Sequence, residues 1–276
     1  MVRRLEQHLE EAAKALLQEM LRRVKHILWR EYRLTCVTIR PLGTGGSRLS
    51  IPCKIVGTKG KQRVSYFAKI VGSSDFVSSL SIQFIKNIYL HLNSKDPIFA
   101  SPSSAEALAR YQFDMLAAME KLEIPTPKPY GYHPIDEIRW LLVVEFIDAK
   151  PLQVAKVSSE IMDQAFKYLK IMHKHKLFHG DIKPDNIMLG DKLYIADVGR
   201  FKDDANDSDK MAYDLVCLIC SFLGHFPPEQ IIVAALKKYS QADLRKAAEY
   251  IPLVQMRPDF YFTGETAARL RKLMKD

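Results

Sequence analysis

The sequence has few cysteines and no long apolar run. Its cysteines, Cys36, Cys53, Cys217 and Cys220, are too few in 276 residues for a disulfide framework. No stretch of about 18 apolar residues occurs, and the N-terminus lacks the hydrophobic segment of a secretory signal. We therefore expect a cytoplasmic protein that does not enter a membrane.

Two of the cysteines, Cys217 and Cys220, have the C-x-x-C spacing of a metal-binding pair. They lie inside the apolar run Leu215–Leu223, and no second Cys or His pair stands nearby at ligand spacing. The sequence therefore predicts two buried structural thiols here rather than a zinc site.

The composition is that of a globular protein with a basic surface. Apolar residues make up 47% of the chain and charged residues 26%, which argues against disorder as the main state. Lys and Arg total 41 against 32 Asp and Glu, so the formal net charge is +9. This balance favours anionic partners such as phosphates or nucleic acid without choosing among them.

Basic residues are frequent in the first and last predicted helices, and RNA or ribonucleoprotein association is one interpretation of them. An ordinary solvated basic surface is the other, and both stay open. The residues concerned are Arg3, Arg4, Arg22, Arg23, Lys25, Arg269, Arg271, Lys272 and Lys275.

The hydrophobic pattern predicts a change from strands to helices along the chain. Apolar residues at spacings of three and four predict an amphipathic helix over residues 5–28. Three β-rich segments joined by glycine-containing turns then predict an antiparallel meander. They cover residues 36–42, 49–56 and 63–71, and are followed by helices at 77–93 and 103–122, a strand at 140–147 and mostly helices from 159 onward. The sequence therefore predicts an α+β fold.

The polar residues most suggestive of chemistry stand between residues 179 and 199. Asp181 and Asn186 precede one short apolar strand, and Asp197 follows the next. If the two strands pair as a hairpin, the three side chains converge at one edge. Carboxylate and amide oxygens suit Mg²⁺ whose remaining ligands are water and phosphate.

These residues resemble the catalytic and metal motifs of the protein-kinase-like superfamily. H-G-D-x-K-P-x-N at 179–186 resembles the catalytic loop, and D-V-G at 197–199 the metal motif. Several further features follow the family's order: a glycine-rich segment, a strand lysine, a hinge strand and the aspartate that opens a helix at Asp214. The resemblance covers roughly residues 36–223.

The resemblance implies a two-lobed kinase-like fold with a small antiparallel β lobe and a mainly helical large lobe. We expect an N-terminal helix over 1–34, a small lobe over 35–147 with a helical insertion at 77–93, and a large lobe over 148–276 that follows a linker at 148–151.

The resemblance also implies site residues for ATP and Mg²⁺. Asp181 and Lys183 are the expected catalytic residues, and Asn186 and Asp197 the expected metal ligands. The residues expected to bind ATP are Gly43, Gly45, Gly46, Ser47, Lys69, Glu145 and Ile147.

The sequence departs from the family pattern in several places, one of which is Val198, where the metal motif D-F-G has phenylalanine. Arg48 stands where a third glycine is expected, and Gly180 replaces the arginine that in many protein kinases reads a phosphorylated activation loop. The glutamate that pairs with Lys69 is not evident, since either Gln112 or Glu106 occupies its place. Regulation by activation-loop phosphorylation is therefore not expected.

Among such proteins, the short large lobe is similar to RIO-type kinases and to the small kinase of the KEOPS complex. Asp181, Lys183 and Asn186 follow the D-x-K-P-x-N pattern usual in Ser/Thr protein kinases. The resemblance thus implies an atypical Ser/Thr protein kinase with a protein acceptor. A small-molecule kinase of the aminoglycoside-phosphotransferase type, with its pocket at the insertion, and an ATP-binding pseudokinase scaffold remain as alternatives.

Overall fold

The computed structural model describes residues 2–42, 50–100 and 103–276. The chain divides into two compact units. We call the first the sheet unit (Met1–Ser78, Ser103–Arg110 and Pro129–Phe146) and the second the helical unit (Ser79–Pro102, Tyr111–Lys128 and Ile147–Asp276).

The sheet unit consists of helix α1 (Val2–Tyr32) and a five-stranded antiparallel sheet. The strands are β1 (Thr35–Pro41), β2 (Ser50–Lys59), β3 (Gln62–Val71), β4 (Pro129–Pro134) and β5 (Trp140–Glu145). Their order in the sheet is β1-β2-β3-β5-β4, so β1 to β3 form the predicted meander. Lys59 pairs with Gln62, and Gly60 has a φ of 62° in the tight turn between them, a conformation that glycine adopts without strain.

The core of the sheet unit lies between α1 and one face of the sheet. In β3, Tyr66, Ala68 and Ile70 are buried, which is the period-two pattern of a strand with one covered face. In α1, Val24 and Leu28 are fully buried one helical turn apart in the same cluster. The amphipathic pattern of α1 is thus explained by packing within its own unit.

We expect Leu28→Ala to destabilise the protein by about 2–5 kcal/mol, because the substitution removes a fully buried side chain and leaves a cavity. Leu17→Ala on the same helix is the matched control, since Leu17 is 49% exposed and should change the free energy of unfolding by less than about 0.5 kcal/mol. Urea unfolding of both variants measures the difference. Equal effects would show that α1 does not pack as described.

Two helices cross the division between the units. Helix α2 (Ser73–Leu92) and helix α3 (Ala105–Lys121) each begin within the residues of the sheet unit and continue in the helical unit. They correspond to the helices predicted at 77–93 and 103–122.

The helical unit also contains a three-stranded sheet and the remaining helices. The strands are β6 (Lys150–Pro151), β7 (Ile187–Leu189) and β8 (Leu193–Ile195), and the helices are α4 (Ser159–Lys174), α5 (Asp207–Ser221), α6 (Pro228–Leu236), α7 (Gln241–Ala248), α8 (Ile251–Gln255) and α9 (Gly264–Lys275). Lys150 pairs with Leu189 and Pro151 with Met188, so the end of the segment expected to be a linker is a strand. The predicted α+β fold is confirmed.

Helix α5 is the central element of the helical unit and is buried on nearly all sides. Cys217 and Cys220 lie one turn apart on it, both in the core, as predicted. Burial raises the pKa of the Cys217 thiol to about 12 and that of Cys220 well above its usual value, so both stay protonated. No helix in the described ranges is long and apolar enough to cross a membrane.

Candidate active site

The β7–β8 hairpin brings the ends of the two motifs together. Ile187 pairs with Ile195, and the Ala196 amide donates to the Asn186 carbonyl at 2.9 Å. Asn186, which ends the 3₁₀ turn Pro184–Asn186, therefore lies beside the residues that follow β8. This is the convergence that the sequence pattern predicts.

The Asn186 amide joins the two motifs directly. Its Nδ2 donates to the carbonyl of Asp181 at 2.8 Å, to Asp181 Oδ2 at 3.3 Å and to the carbonyl of Asp197 at 3.0 Å. All three bonds use the amide nitrogen, which leaves Oδ1 as an acceptor. An amide oxygen beside aspartate carboxylates is the kind of donor set that Mg²⁺ prefers, so these residues fit the ion.

Two glycines allow the motifs to approach this closely. Gly180 has a φ of 75°, and a Cβ there would lie 2.9 Å from the Gly199 carbonyl carbon. A Cβ on Gly199 would in turn lie 2.9 Å from Cβ of Asp181. The Gly199 amide donates to the His179 carbonyl at 2.8 Å. A residue without a Cβ is therefore required at position 180, which gives a local reason why arginine is absent there.

Asp214 on α5 holds the start of the catalytic loop. Its side chain is fully buried and accepts from the amides of His179 at 2.6 Å and Gly180 at 2.9 Å. Burial lowers the pKa of His179, so its ring is neutral. The neutral ring bonds to the Ala196 carbonyl through Nε2 at 3.1 Å and accepts from the Asp181 amide through Nδ1 at 3.3 Å. His179 is thus an anchor of the loop.

Asp181 and Lys183 form a closed ring of charges with two residues from the segment after α8. Arg257 Nη2 donates to Asp181 Oδ1 at 2.7 Å and to Asp259 Oδ2 at 3.1 Å. Lys183 Nζ lies 3.8 Å from Asp181 Oδ2 and 3.5 Å from Asp259 Oδ1. We call these four residues the charge ring, in which each carboxylate is shared by both cations.

The charge ring keeps Asp181 ionised. Burial acts to raise the pKa of Asp181, but the nearby Arg257 and Lys183 outweigh it and the pKa lies below its usual value. For Lys183, burial acts to lower the pKa, and Asp181 and Asp259 outweigh it, so its pKa is raised. The sequence did not point to Arg257 or Asp259, because they lie more than 70 residues from the catalytic loop and in no recognised motif.

Gln112 on α3 contacts the metal motif. Its Nε2 lies 3.2 Å from Asp197 Oδ1 and 3.4 Å from the Val198 carbonyl, and donates to both. Its Oε1 is buried and has no hydrogen-bond partner among the described residues. Such an acceptor is what a neutral partner of Lys69 would need. Gln112 and Glu106 both stay open as the predicted partner of Lys69.

The residues expected to bind ATP lie in different segments of the chain. Lys69 lies near the end of β3, paired with Leu142 of β5, and Glu145 is the exposed last residue of β5. Ile147 is half-buried at the start of a segment of the helical unit. Gly43, Gly45, Gly46 and Ser47 lie outside the described residues.

Lys86 on α2 is a half-buried cation of the helical unit. Its Nζ lies 4.7 Å from the ring centre of Phe99 and 5.9 Å from that of Tyr213. Loss of hydration, together with the charge of Arg257, lowers the pKa of Lys86 to about 8, against the opposing effects of Asp181, Cys217 and Asp259. The titratable Tyr213 hydroxyl belongs to one of the two rings beside Lys86.

The lowered pKa of Lys86 predicts a pH-dependent stability. Between about pH 8 and 10.5 the unfolded lysine binds more protons than the folded one, so this residue adds stability as the pH rises. Screening by solvent limits the gain to about 1–2 kcal/mol. We expect the free energy of unfolding of Lys86→Met, measured with urea, not to rise between about pH 8 and 10.5. Lys174→Met, which replaces an exposed lysine, should keep the rise seen in wild type. Parallel pH profiles for wild type and Lys86→Met would contradict the assignment.

One family model matches the part of the chain that carries the candidate site. A model of the RIO domain matches residues 97–231, just under half of the chain, and this range contains the catalytic loop, the metal motif and Asp214. None of the curated protein sequences compared with the chain matches it.

Two solved structures also align with the chain. A putative fructosamine-3-kinase from Haemophilus somnus 129PT is 12% identical, with 94% of this chain and 97% of that chain covered and a TM-score of 0.51. Rad53 residues 1–466 in complex with AMP-PNP is 16% identical, with 87% of this chain and 53% of that chain covered and a TM-score of 0.38. The RIO-domain match and the shared fold of the first structure support an ATP-dependent kinase. The chain thus has a protein-kinase-like fold, and its predicted resemblance to the RIO-type kinases is confirmed.

Proposed function

We propose that the protein is an atypical Ser/Thr protein kinase that acts in the cytoplasm and uses Mg²⁺ and ATP. The observation that carries the proposal is the convergence of four polar side chains at one end of the β7–β8 hairpin. Asp181, Lys183, Asn186 and Asp197 are joined there by the Asn186 amide and by the charge ring. The RIO-domain match over the same residues supports it.

Each of these side chains has a distinct role in the proposed reaction. Asp181 orients the acceptor hydroxyl and takes its proton as the oxygen bonds to the γ-phosphorus and the bond to the leaving ADP oxygen breaks. Lys183 lies beside Asp181 and neutralises charge on the transferred group. Asn186 and Asp197 would hold Mg²⁺, which when bound neutralises the phosphate oxygens.

The ATP-binding residues of the proposal belong to the small lobe. Lys69 would pair with the α- and β-phosphates, and the backbone from Glu145 to Ile147 would hydrogen-bond the adenine. The glycine-rich segment, Gly43, Gly45, Gly46 and Ser47, would cover the phosphates. The ordered pairing of β3 with β5 supports this, because it places Lys69 and the hinge strand in adjacent positions of one sheet.

The proposal of a protein acceptor rests on Lys183. The D-x-K-P-x-N pattern is usual in Ser/Thr protein kinases, whereas small-molecule phosphotransferases generally lack this lysine. A small-molecule kinase is the second candidate, because the structure named as a putative fructosamine-3-kinase has the same fold over nearly its whole length.

The acceptor class is tested with γ-labelled ATP and Mg²⁺, with protein acceptors and small hydroxyl compounds supplied separately. We expect label on protein, and loss of the label in Asp181→Asn. Label on a sugar or an amino alcohol alone would favour the second candidate. ATP binding without any transfer or hydrolysis would favour the pseudokinase scaffold.

We also propose RNA or a ribonucleoprotein as a partner of the basic surface. Part of the basic surface is paired internally, since Arg22 and Arg23 both bond to Glu19 and Arg269 bonds to Glu229. Binding to tRNA and rRNA fragments should weaken steeply as salt increases if the basic residues contact phosphates. Affinity that is absent or independent of salt would remove this partner.

A further inference from the structure

The charge ring contains an arginine that lies outside the part of the chain matched by the RIO domain. Arg257 follows α8, 76 residues beyond Asp181, and the match ends at residue 231. Its side chain is only 5% exposed, yet its guanidinium bonds directly to the carboxylate of the catalytic loop. A buried cation needs fixed partners, because desolvation of an unpaired charge is costly.

The guanidinium is fixed on both of its terminal nitrogens. Nη1 donates to the Tyr213 hydroxyl at 2.9 Å, and Nη2 donates to Asp181 and Asp259. Because the guanidinium is planar, these bonds fix its orientation as well as its position. Tyr213 is itself fully buried on α5.

The two oxygens of Asp181 are held differently as a result. Oδ1 takes the short bond from Arg257, at 2.7 Å, whereas the contacts of Oδ2 with Asn186 and Lys183 are 3.3 and 3.8 Å. Oδ2 is therefore the oxygen with the longer contacts. Its direction is set by the bond at Oδ1.

We propose that Arg257 is a positioning residue, which holds Oδ1 of Asp181 so that Oδ2 meets the acceptor hydroxyl. Asp259 completes the arrangement by holding Arg257 and Lys183 side by side. The segment after α8, which contains Arg257 and Asp259, then belongs to the active site. This inference rests on the proposed phosphotransferase function.

The test compares Arg257→Ala and Arg257→Lys with wild type in phosphoryl transfer, normalised to the folded fraction. Misplacement of a reacting group by about 1 Å costs roughly a hundredfold in rate, so we expect Arg257→Ala to lose about that factor in kcat. The KM for ATP should stay within about twofold, because Arg257 does not touch the nucleotide in this account. Millimolar guanidinium should restore part of the activity of Arg257→Ala. Arg257→Lys keeps the positive charge but lacks the two terminal nitrogens of the guanidinium. Its kcat should therefore lie between those of Arg257→Ala and wild type.

Arg245→Met is the matched control, since it removes an exposed arginine of the same unit that donates to the Lys275 carbonyl. We expect its kcat to be unchanged. A kcat per folded molecule close to wild type in both Arg257 variants would overturn the inference and leave the proposed function standing. An absence of any turnover by wild type would instead overturn the proposed function, and this inference with it.

A double-mutant cycle in urea unfolding tests the contact without using activity. We expect Arg257→Lys and Asp181→Asn to be non-additive, because each weakens the same charge-assisted bond. Additive effects would overturn the inference even if Arg257→Ala fails to fold.

Discussion

Asp197→Asn should lower the rate of phosphoryl transfer by at least about a thousandfold. In our account Asp197 is the charged ligand of the metal, and a metal ion contributes several kcal/mol of charge stabilisation in the transition state. Asparagine keeps the shape of the side chain but not its charge. The backbone should be retained, because Asp197 has a φ of 55° and asparagine tolerates that conformation well.

The matched control is Asp185→Asn, which makes the same chemical change at an exposed position next to Asn186. We expect it to keep near-wild-type turnover. Rates are measured with labelled ATP over a range of Mg²⁺ concentrations, so that weaker metal binding can be separated from a slower step. Turnover of Asp197→Asn within about tenfold of wild type at saturating Mg²⁺ would show that the metal assignment is wrong.

Asp214→Ala should destabilise the protein by about 3–5 kcal/mol and release the catalytic loop. The substitution leaves two buried amides, those of His179 and Gly180, without an acceptor. Each unsatisfied buried group costs about 1–3 kcal/mol, and the loss of a buried side chain adds to this. Urea unfolding measures the change, and hydrogen exchange of the His179 and Gly180 amides shows whether the loop has opened.

Asp214→Asn distinguishes the hydrogen bonds from the volume of the side chain. Asparagine keeps one acceptor for the Gly180 amide but turns an NH₂ group toward the other amide. We expect an intermediate loss of stability. If Asp214→Ala and Asp214→Asn are both as stable as wild type, Asp214 does not brace the loop.

Local patterns in the sequence were enough to predict the elements that carry the site. The β-rich segment at β3 and the short apolar segments at β7 and β8 predicted strands. Pairing of β7 with β8 as a hairpin was then expected to bring Asp181, Asn186 and Asp197 to one edge. Such patterns involve residues that are close together in the sequence, so they can be recognised without knowledge of the three-dimensional structure.

Long-range features could not be predicted in the same way. Strand β4 contains Pro129, Gly131 and Pro134, residues that weaken a strand pattern, and it is tolerated because it pairs on one side only, with β5 at the sheet edge. The bond from Arg257 to Asp181 depends on how the segment after α8 folds back onto the catalytic loop, and no local spacing encodes it. The division between the predicted lobes at 147–148 stays a prediction.

The most direct test of the account is nucleotide-dependent metal binding at the end of the β7–β8 hairpin. Mn²⁺ replaces Mg²⁺ in the assay, and bound Mn²⁺ is counted by electron paramagnetic resonance at saturating AMP-PNP, for wild type and for Asn186→Leu. The account predicts Mn²⁺ bound to wild type in the presence of the nucleotide, and a large loss in the variant because the amide oxygen is gone. Equal Mn²⁺ binding by the two proteins, or none by wild type, would contradict it.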